Sequence, residues 1–133
     1  MLNIDPLVWA RMAGLGYLLT ISMETPVLLL GLANRYSMKE KFIAGALLTA
    51  CSYPFVAIFF PMIWNPYENY STYIAVSEVF APLSECVVFA FLFQLRKPEI
   101  TTKQRILDFV AIIAANLFSY LFGEFLKYSG LQL

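Results

Sequence analysis

The sequence predicts an all-α fold, namely a bundle of four helices embedded in a membrane. Of its 133 residues, 60% are hydrophobic and only 14% are charged, whereas a typical soluble domain has about 25% charged residues. The mean hydropathy is +0.70. The apolar residues fall into four stretches, each long enough to cross a hydrocarbon core of about 30 Å as a helix. We therefore expect a single membrane domain over residues 1–133.

The four membrane spans are predicted at residues 7–34, 39–64, 72–95 and 105–128. Asp5 followed by Pro6 is typical of a helix start, because proline fits the first helical turn. The first span exceeds the roughly 20 residues that a crossing needs. We therefore expect it to tilt, to kink at Pro26 or to extend into the interface.

Positively charged side chains predict the orientation of the spans. Those in the loops that join spans one to two and three to four are Arg35, Lys39, Lys41, Arg96, Lys97, Lys103 and Arg105. The loop between spans two and three has no positive side chain and contains Glu68. Since cytoplasmic loops are enriched in Lys and Arg, both termini should face outward. We expect a multi-pass protein of a prokaryotic inner membrane.

Carboxyl and amide side chains lie inside these spans, where lipid would otherwise surround them. An ionisable group is costly in hydrocarbon and is expected to face a protein interior or a water-filled path. Counting along each span at about 1.5 Å per residue gives two layers. The layer near the middle comprises Glu24, Glu85, Asn116, Ser52 and Tyr53. The layer nearer the outer side comprises Arg11, Glu78 and Glu124.

Helical spacing indicates which of these groups share a face. Glu78 and Glu85 lie seven residues apart on span three, and Asn116, Tyr120 and Glu124 follow each other at intervals of four on span four. The candidate proton- or cation-binding residues are therefore Glu24, Glu85, Glu78, Asn116, Glu124, Tyr53 and Tyr120.

Prolines inside the spans add free acceptors beside the acids. A helical proline leaves the carbonyl four residues earlier without its usual donor, so Pro82 frees the carbonyl of Glu78 and Pro26 frees that of Ser22. Freed carbonyls beside carboxylates form cation sites in membrane transporters. Oxygen ligands suit hard cations such as sodium, magnesium or calcium, and a carboxyl group can also exchange a proton. The chain has no histidine, and no cofactor is expected.

A structural interpretation of the same residues is also open. Protonated glutamates, Asn116 and hydroxyl groups can simply hydrogen-bond the helices to each other. Arg11 can reach the outer surface or pair with Glu78 or Glu124. Asp108 is expected to serve the start of its helix, where negative charge is favoured. Small residues that recur every four positions, such as Ala111, Ala115, Ser119 and Gly123, predict close helix packing.

A weak internal repeat suggests that the bundle consists of two related helical hairpins. Glu24 on span one corresponds to Glu85 on span three, and the pair Ser52–Tyr53 on span two corresponds to Ser119–Tyr120 on span four. The two halves would have the same orientation, as in a parallel repeat about an axis along the membrane normal.

Three functions are consistent with this pattern. The first is a transporter or channel-like protein whose intramembrane glutamates bind protons or hard cations. The second is a non-catalytic subunit or adaptor of a larger membrane complex. The third, an intramembrane enzyme, is disfavoured because the sequence lacks a G-x-S-x-G, an H-E-x-x-H and a nucleotide-binding loop. The expected partners are the lipid bilayer and either further copies of the chain or another membrane protein, and no nucleic acid.

Overall fold

The computed structural model describes residues 5–130, and over these residues the protein is helical without a β-strand. The four long helices are α1 (Pro6–Gly31), α2 (Met38–Ile63), α3 (Tyr70–Gln94) and α4 (Thr102–Tyr128). All four are long and apolar enough to cross a membrane. The prediction of an all-α fold with four long apolar helices is thus confirmed for the described residues. The predicted domain over 1–133 also includes residues 1–4 and 131–133, which lie outside them.

Capping side chains set the helix ends, which differ by a few residues from the predicted limits. The Asp5 carboxylate accepts a hydrogen bond from the Leu7 amide, so α1 begins at the predicted position. Helix α1 ends at Gly31 because Leu32 is already extended. Helix α4 begins at Thr102 because Thr101 and Gln104 form a capping box.

The helices run through their prolines without unwinding. Pro26 and Pro82 lie inside continuous α-helical segments. After Pro54, α2 widens into a π-helical segment, Phe55–Phe59, before it returns to α-helix. Such a segment leaves carbonyl groups open to other donors, and the Tyr73 hydroxyl donates to the Val56 carbonyl at 3.0 Å. Local breaks of the transporter type are therefore not found at these prolines.

The helices form a square in which consecutive helices are neighbours. Helix α1 packs mainly against α2 and α4, and α3 packs mainly against the same two helices. The first loop (32–37) and the third loop (95–101) lie at the same end of the bundle. There the Lys97 ammonium lies 3.3 Å from the carboxylate of Glu40, in the first turn of α2. The other end holds the 64–69 loop, and there the Tyr70 hydroxyl donates to the Glu124 carboxylate on α4.

The apolar core lies in the half of the bundle nearest the first and third loops. Leu28, Leu48, Phe89 and Ile112 come from the four different helices, and each is at most 2% exposed. Each of these four is preceded, on its own helix, by one of the polar residues Glu24, Thr49, Glu85 and Asn116, counted from the opposite end of the bundle. The apolar residues therefore lie closer to the first and third loops than the polar residues do. This half is therefore closed by close-packed side chains.

Asp108 joins three segments at the closed end, which corrects its predicted role. Its two carboxylate oxygens accept hydrogen bonds from the Ala33 amide at 2.9 Å, from the Tyr36 hydroxyl at 3.1 Å and from the Gln94 amide at 3.3 Å. Asp108 is fully buried. Since α4 begins at Thr102, Asp108 lies too far from the helix start to cap it. Burial, together with the adjacent Asp108 carboxyl, raises the pKa of the Tyr36 phenol.

Glycine allows a close helix contact at Gly45, where α2 meets α1. A Cβ atom at this position would overlap the Thr25 side chain. We expect Gly45→Ala to lower the free energy of unfolding by about 1–3 kcal/mol through overpacking. Denaturant titration in detergent micelles would measure the change.

The matched control for this substitution is Gly123→Ala on α4. A Cβ atom at Gly123 would have no neighbour within 4 Å, so the change should stay within about 0.5 kcal/mol. Equal effects of the two substitutions would contradict the close contact. The prediction of close packing by small residues thus applies to Ala111 and Ala115, which are buried, and not to Gly123.

Candidate functional site

Glu24 is buried on α1, and hydroxyl groups of two other helices contact its carboxyl group. Thr49 Oγ1 on α2 donates to Glu24 Oε2 at 2.9 Å, and Ser119 Oγ on α4 donates to Glu24 Oε1 at 3.1 Å. Only 2% of Glu24 is exposed. These contacts place the acid in the interior of the bundle and away from the outer surface of the helices.

Glu85 occupies the corresponding place on α3. Ser52 Oγ on α2 donates to Glu85 Oε1, and Asn116 Nδ2 on α4 donates to Glu85 Oε2 at 2.7 Å. Glu85 is also only 2% exposed. All four carboxyl oxygens of Glu24 and Glu85 therefore have a partner on α2 or α4.

The hydrogen bonds of the two acids follow a reciprocal pattern. Glu24 accepts from Thr49 in its own hairpin and from Ser119 in the other hairpin. Glu85 accepts from Asn116 in its own hairpin and from Ser52 in the other. Because the two donors on each helix lie one turn apart, both carboxyl groups lie in the same thin layer of the bundle.

The buried residues of α2 and α4 follow the same spacing. Those of α2 that precede Ser52 are Lys41, Ala44, Gly45, Leu48 and Thr49. Those of α4 are Asp108, Ala111, Ile112, Ala115 and Asn116. The donors Ser52 and Ser119 then follow at the same distance along their helices. Helices α2 and α4 thus bury residues at the same spacing.

A cavity of about 170 Å³ borders this acid layer. It extends from Glu24 toward the end of the bundle that carries the 64–69 loop. Its lining residues are Thr20, Glu24, Thr49, Ser52, Tyr53, Val56, Ser77, Glu78, Ala81, Asn116, Ser119 and Tyr120. Most of these side chains are polar, and the cavity volume is several times the roughly 30 Å³ that one water molecule occupies in the liquid. The cavity can therefore hold water.

Glu78 and Tyr120 lie farther along the cavity than the two buried acids. Both are partly exposed, and both also line a neighbouring groove of about 200 Å³ between α3 and α4. The Tyr53 hydroxyl lies across the cavity from them and donates to the Ala13 carbonyl at 3.0 Å. Ser77 Oγ is buried and has no hydrogen-bond partner among residues 5–130.

Glu124 lies apart from the other candidate residues. Its carboxylate accepts from the Lys127 ammonium at 3.0 Å and from the Tyr70 hydroxyl at 3.1 Å, near the end of the bundle. It does not line the cavity that contains Glu24. The regular spacing of Asn116, Tyr120 and Glu124 therefore spans two different environments. The ion pair of Glu124 is made with Lys127 and not with Arg11.

The acids are not grouped into a cluster of metal-ligating side chains. Within the part of the chain that the structure describes, no three acidic or cysteine side chains lie together so that they could hold a metal ion. The interior instead combines two carboxyl groups with hydroxyl and amide donors. Such a set of groups can bind, orient and exchange protons.

Thr49 and Ser77 belong to this site but are not among the residues predicted from the sequence. Thr49 lies three residues before Ser52 and therefore on the same helix face. That spacing was a usable signal. Ser77 lies one residue before Glu78, and nothing in the sequence distinguishes it from other helical serines.

Comparisons with protein-family models, with curated proteins and with solved structures found no match to this chain. Its function has to be argued from the site itself.

Proposed function

We propose that this protein is a small multi-pass membrane transporter or channel-like protein in which Glu24 and Glu85 bind protons or hard cations. One observation carries the proposal: two buried acids share a layer that borders a polar cavity at one end and a close-packed core at the other. Intramembrane acids that face a water-filled cavity typically mark the path of an ion or proton.

The position of the cavity also favours transport over passive structure. Acids that only hold helices together need no water access. Here the cavity leads from Glu24 to the partly exposed Glu78, whereas Leu28, Leu48 and Phe89 fill the opposite side of the acid layer. A site that is open to one side and closed to the other fits one state of alternating access.

Orientation and assembly are part of this proposal. With the first and third loops in the cytoplasm of a prokaryotic inner membrane, the cavity would lie on the outward side, together with both ends of the chain. We also propose that the two hairpins arose as a parallel tandem repeat, which the equivalent buried positions of α2 and α4 support. Assembly into homo-oligomers, or with another membrane protein, is proposed as well.

The test is a flux measurement on protein reconstituted in liposomes. A proton gradient or a sodium gradient should drive ion movement, reported by dyes for pH and for sodium. We expect Glu24→Gln and Glu85→Gln to reduce this flux to background, because an amide neither releases a proton nor supplies a negative charge. Glu68→Gln, an acid exposed in the 64–69 loop, is the control and should leave the flux unchanged.

Two outcomes would count against the proposal. Unchanged flux in both Glu24→Gln and Glu85→Gln would remove the assigned role from these residues. A wild-type protein that carries no flux but purifies with a stoichiometric membrane partner would instead support the alternative function, a non-catalytic subunit or adaptor.

A further inference from the structure

We infer that the ion bound at this site is the proton, that Glu24 is the group which takes it up and releases it, and that Glu85 is a fixed acceptor beside it. This inference rests on the proposed function and names the substrate of the same site. It follows from which atoms face the carboxyl oxygens and from how many hydrogens those atoms can supply.

The amide group that faces Glu85 presents a hydrogen-bond donor, which disfavours a cation at this acid. A hard cation needs several oxygen lone pairs that converge on one point, six to eight in the case of calcium. Asn116 instead presents its nitrogen to Glu85, and the same nitrogen also donates to the Ile112 carbonyl at 3.0 Å. Turning the Asn116 oxygen toward a cation would break both of these hydrogen bonds.

The prolines free the carbonyls of Ser22 and Glu78, but the backbone around the two acids has no unwound segment of the kind that cation sites use. Transporter cation sites take carbonyl oxygens from unwound helix segments. Pro26 and Pro82 lie in continuous α-helix, so neither acid has an unwound segment beside it. A proton needs no such coordination shell, since one acceptor atom is enough.

Counting hydrogens at Glu24 shows that this acid is compatible with two protonation states. The Thr49 hydroxyl has a single hydrogen but two acceptors within reach. Its oxygen lies 2.9 Å from Glu24 Oε2 and also 2.9 Å from the Gly45 carbonyl oxygen on the same helix as Thr49. The Ser119 hydroxyl likewise lies 3.1 Å both from Glu24 Oε1 and from the Asn116 carbonyl. Each hydroxyl can therefore point its hydrogen in either of two directions.

The two directions match the two forms of the acid. When Glu24 is ionised, both hydroxyls donate to its carboxylate. When Glu24 holds a proton, that proton is donated to Thr49 Oγ1 or Ser119 Oγ, and the receiving hydroxyl turns its own hydrogen to the helix carbonyl. Both states are fully hydrogen-bonded, and the exchange moves hydrogens without moving heavy atoms.

Glu85 lacks this freedom. The Asn116 nitrogen has two hydrogens, one for Glu85 and one for the Ile112 carbonyl, so its donation to Glu85 meets no competition. Among residues 5–130, the Ser52 hydroxyl has no acceptor other than Glu85. A proton on either oxygen of Glu85 would displace the hydrogen of Ser52 or of Asn116, and Ser52 could then donate only to water in the cavity that it lines. The surroundings of Glu85 thus favour the carboxylate form.

The other titratable groups near Glu24 do not neutralise the negative charge of the Glu85 carboxylate. From α2 the cavity receives Tyr53, from α3 it receives Glu78, and from α4 it receives Tyr120. Lys41 and Asp108 lie beyond the apolar core. No lysine or arginine lines the cavity within residues 5–130. A proton on Glu24 therefore meets no competing positive charge in the cavity.

Infrared spectroscopy of the purified protein through a pH titration tests this inference, because a protonated carboxyl group has a C=O band that a carboxylate lacks. Near neutral pH the exposed carboxyl groups, with ordinary pKa values of about 4, are ionised and give no such band. In that range we expect the band in the wild type, its loss in Glu24→Gln and its retention in Glu85→Gln. Thr49→Val should shift the frequency of the band without removing it, since one hydrogen-bond partner of Glu24 is lost. Saturating sodium, magnesium or calcium should leave the band unchanged.

Three results would overturn the inference: no protonated-carboxyl band near neutral pH, a band that persists there in Glu24→Gln, or a band that one of the three cations removes. Thr49→Val keeps the test decisive if Glu24→Gln does not fold. The outcome is separable from that of the proposed function. A titrating Glu24 without flux would contradict transport alone, whereas sodium flux with an ionised Glu24 would contradict only the proton.

Discussion

Asp108→Ala is expected to lower the free energy of unfolding by about 3–5 kcal/mol, because it leaves buried donors without an acceptor at about 1–3 kcal/mol each. The Ala33 amide, the Tyr36 hydroxyl and the Gln94 amide all donate to this one carboxyl group. The substitution would thereby loosen the contact of α4 with the first loop and with the end of α3. Unfolding in mixed micelles, followed by circular dichroism, would measure the loss.

Glu99→Ala is the matched control for this substitution. Glu99 belongs to the third loop at the same end of the bundle, but its side chain is exposed, and surface substitutions usually change stability by no more than about 0.5 kcal/mol. If Asp108→Ala proved as mild as Glu99→Ala, the buried hydrogen-bond cluster would not be a main source of stability at the closed end.

Water access from one side is the second large effect that we expect. The test uses a background in which the two native thiols are removed by Cys51→Ala and Cys86→Ala. In this background a cysteine introduced at Ala81 would line the cavity, whereas one introduced at Ala44 would lie in the apolar core. Thiol reagents attack the thiolate, which requires contact with water. A small membrane-impermeant reagent should therefore modify Ala81→Cys faster than Ala44→Cys by on the order of tenfold or more.

Leu83→Cys separates exposure to water from exposure to lipid. Leu83 lies on the same helix as Ala81, is 60% exposed and does not line the cavity, so lipid should protect it in a bilayer. Equal modification of Ala44→Cys and Ala81→Cys would contradict the closed half of the bundle. Modification of Ala81→Cys only by reagent on the cytoplasmic side would instead reverse the proposed orientation.

The sequence was sufficient to predict the helices, because the length and apolarity of each span are local properties. Exact ends were less predictable. Leu32 continues the apolar pattern of α1 but is already extended, and its conformation depends on the neighbouring loop. The role of Asp108 was wrong for a related reason: its distance from the helix start depends on where α4 begins, and its partners come from distant parts of the chain.

The candidate site was predictable in composition but not in its connections. Helical spacing correctly groups residues on one helix, yet it does not tell which neighbouring helix that face meets. Glu124 shares a face with Asn116, but Lys127 one turn later engages it near the end of the bundle. Thr49 was missed because a helical threonine can satisfy its hydroxyl on its own backbone, as Thr49 also does at Gly45.

The reciprocal pattern has a consequence for how the chain is made. Each glutamate takes one of its two hydrogen bonds from the other hairpin. Until α4 has been synthesised, each acid therefore has only one of its two donors, Thr49 for Glu24 and Ser52 for Glu85. Helix α4 supplies the second donor of both, Asn116 and Ser119, within one turn, so a product that ends before this turn would leave two buried acids half satisfied.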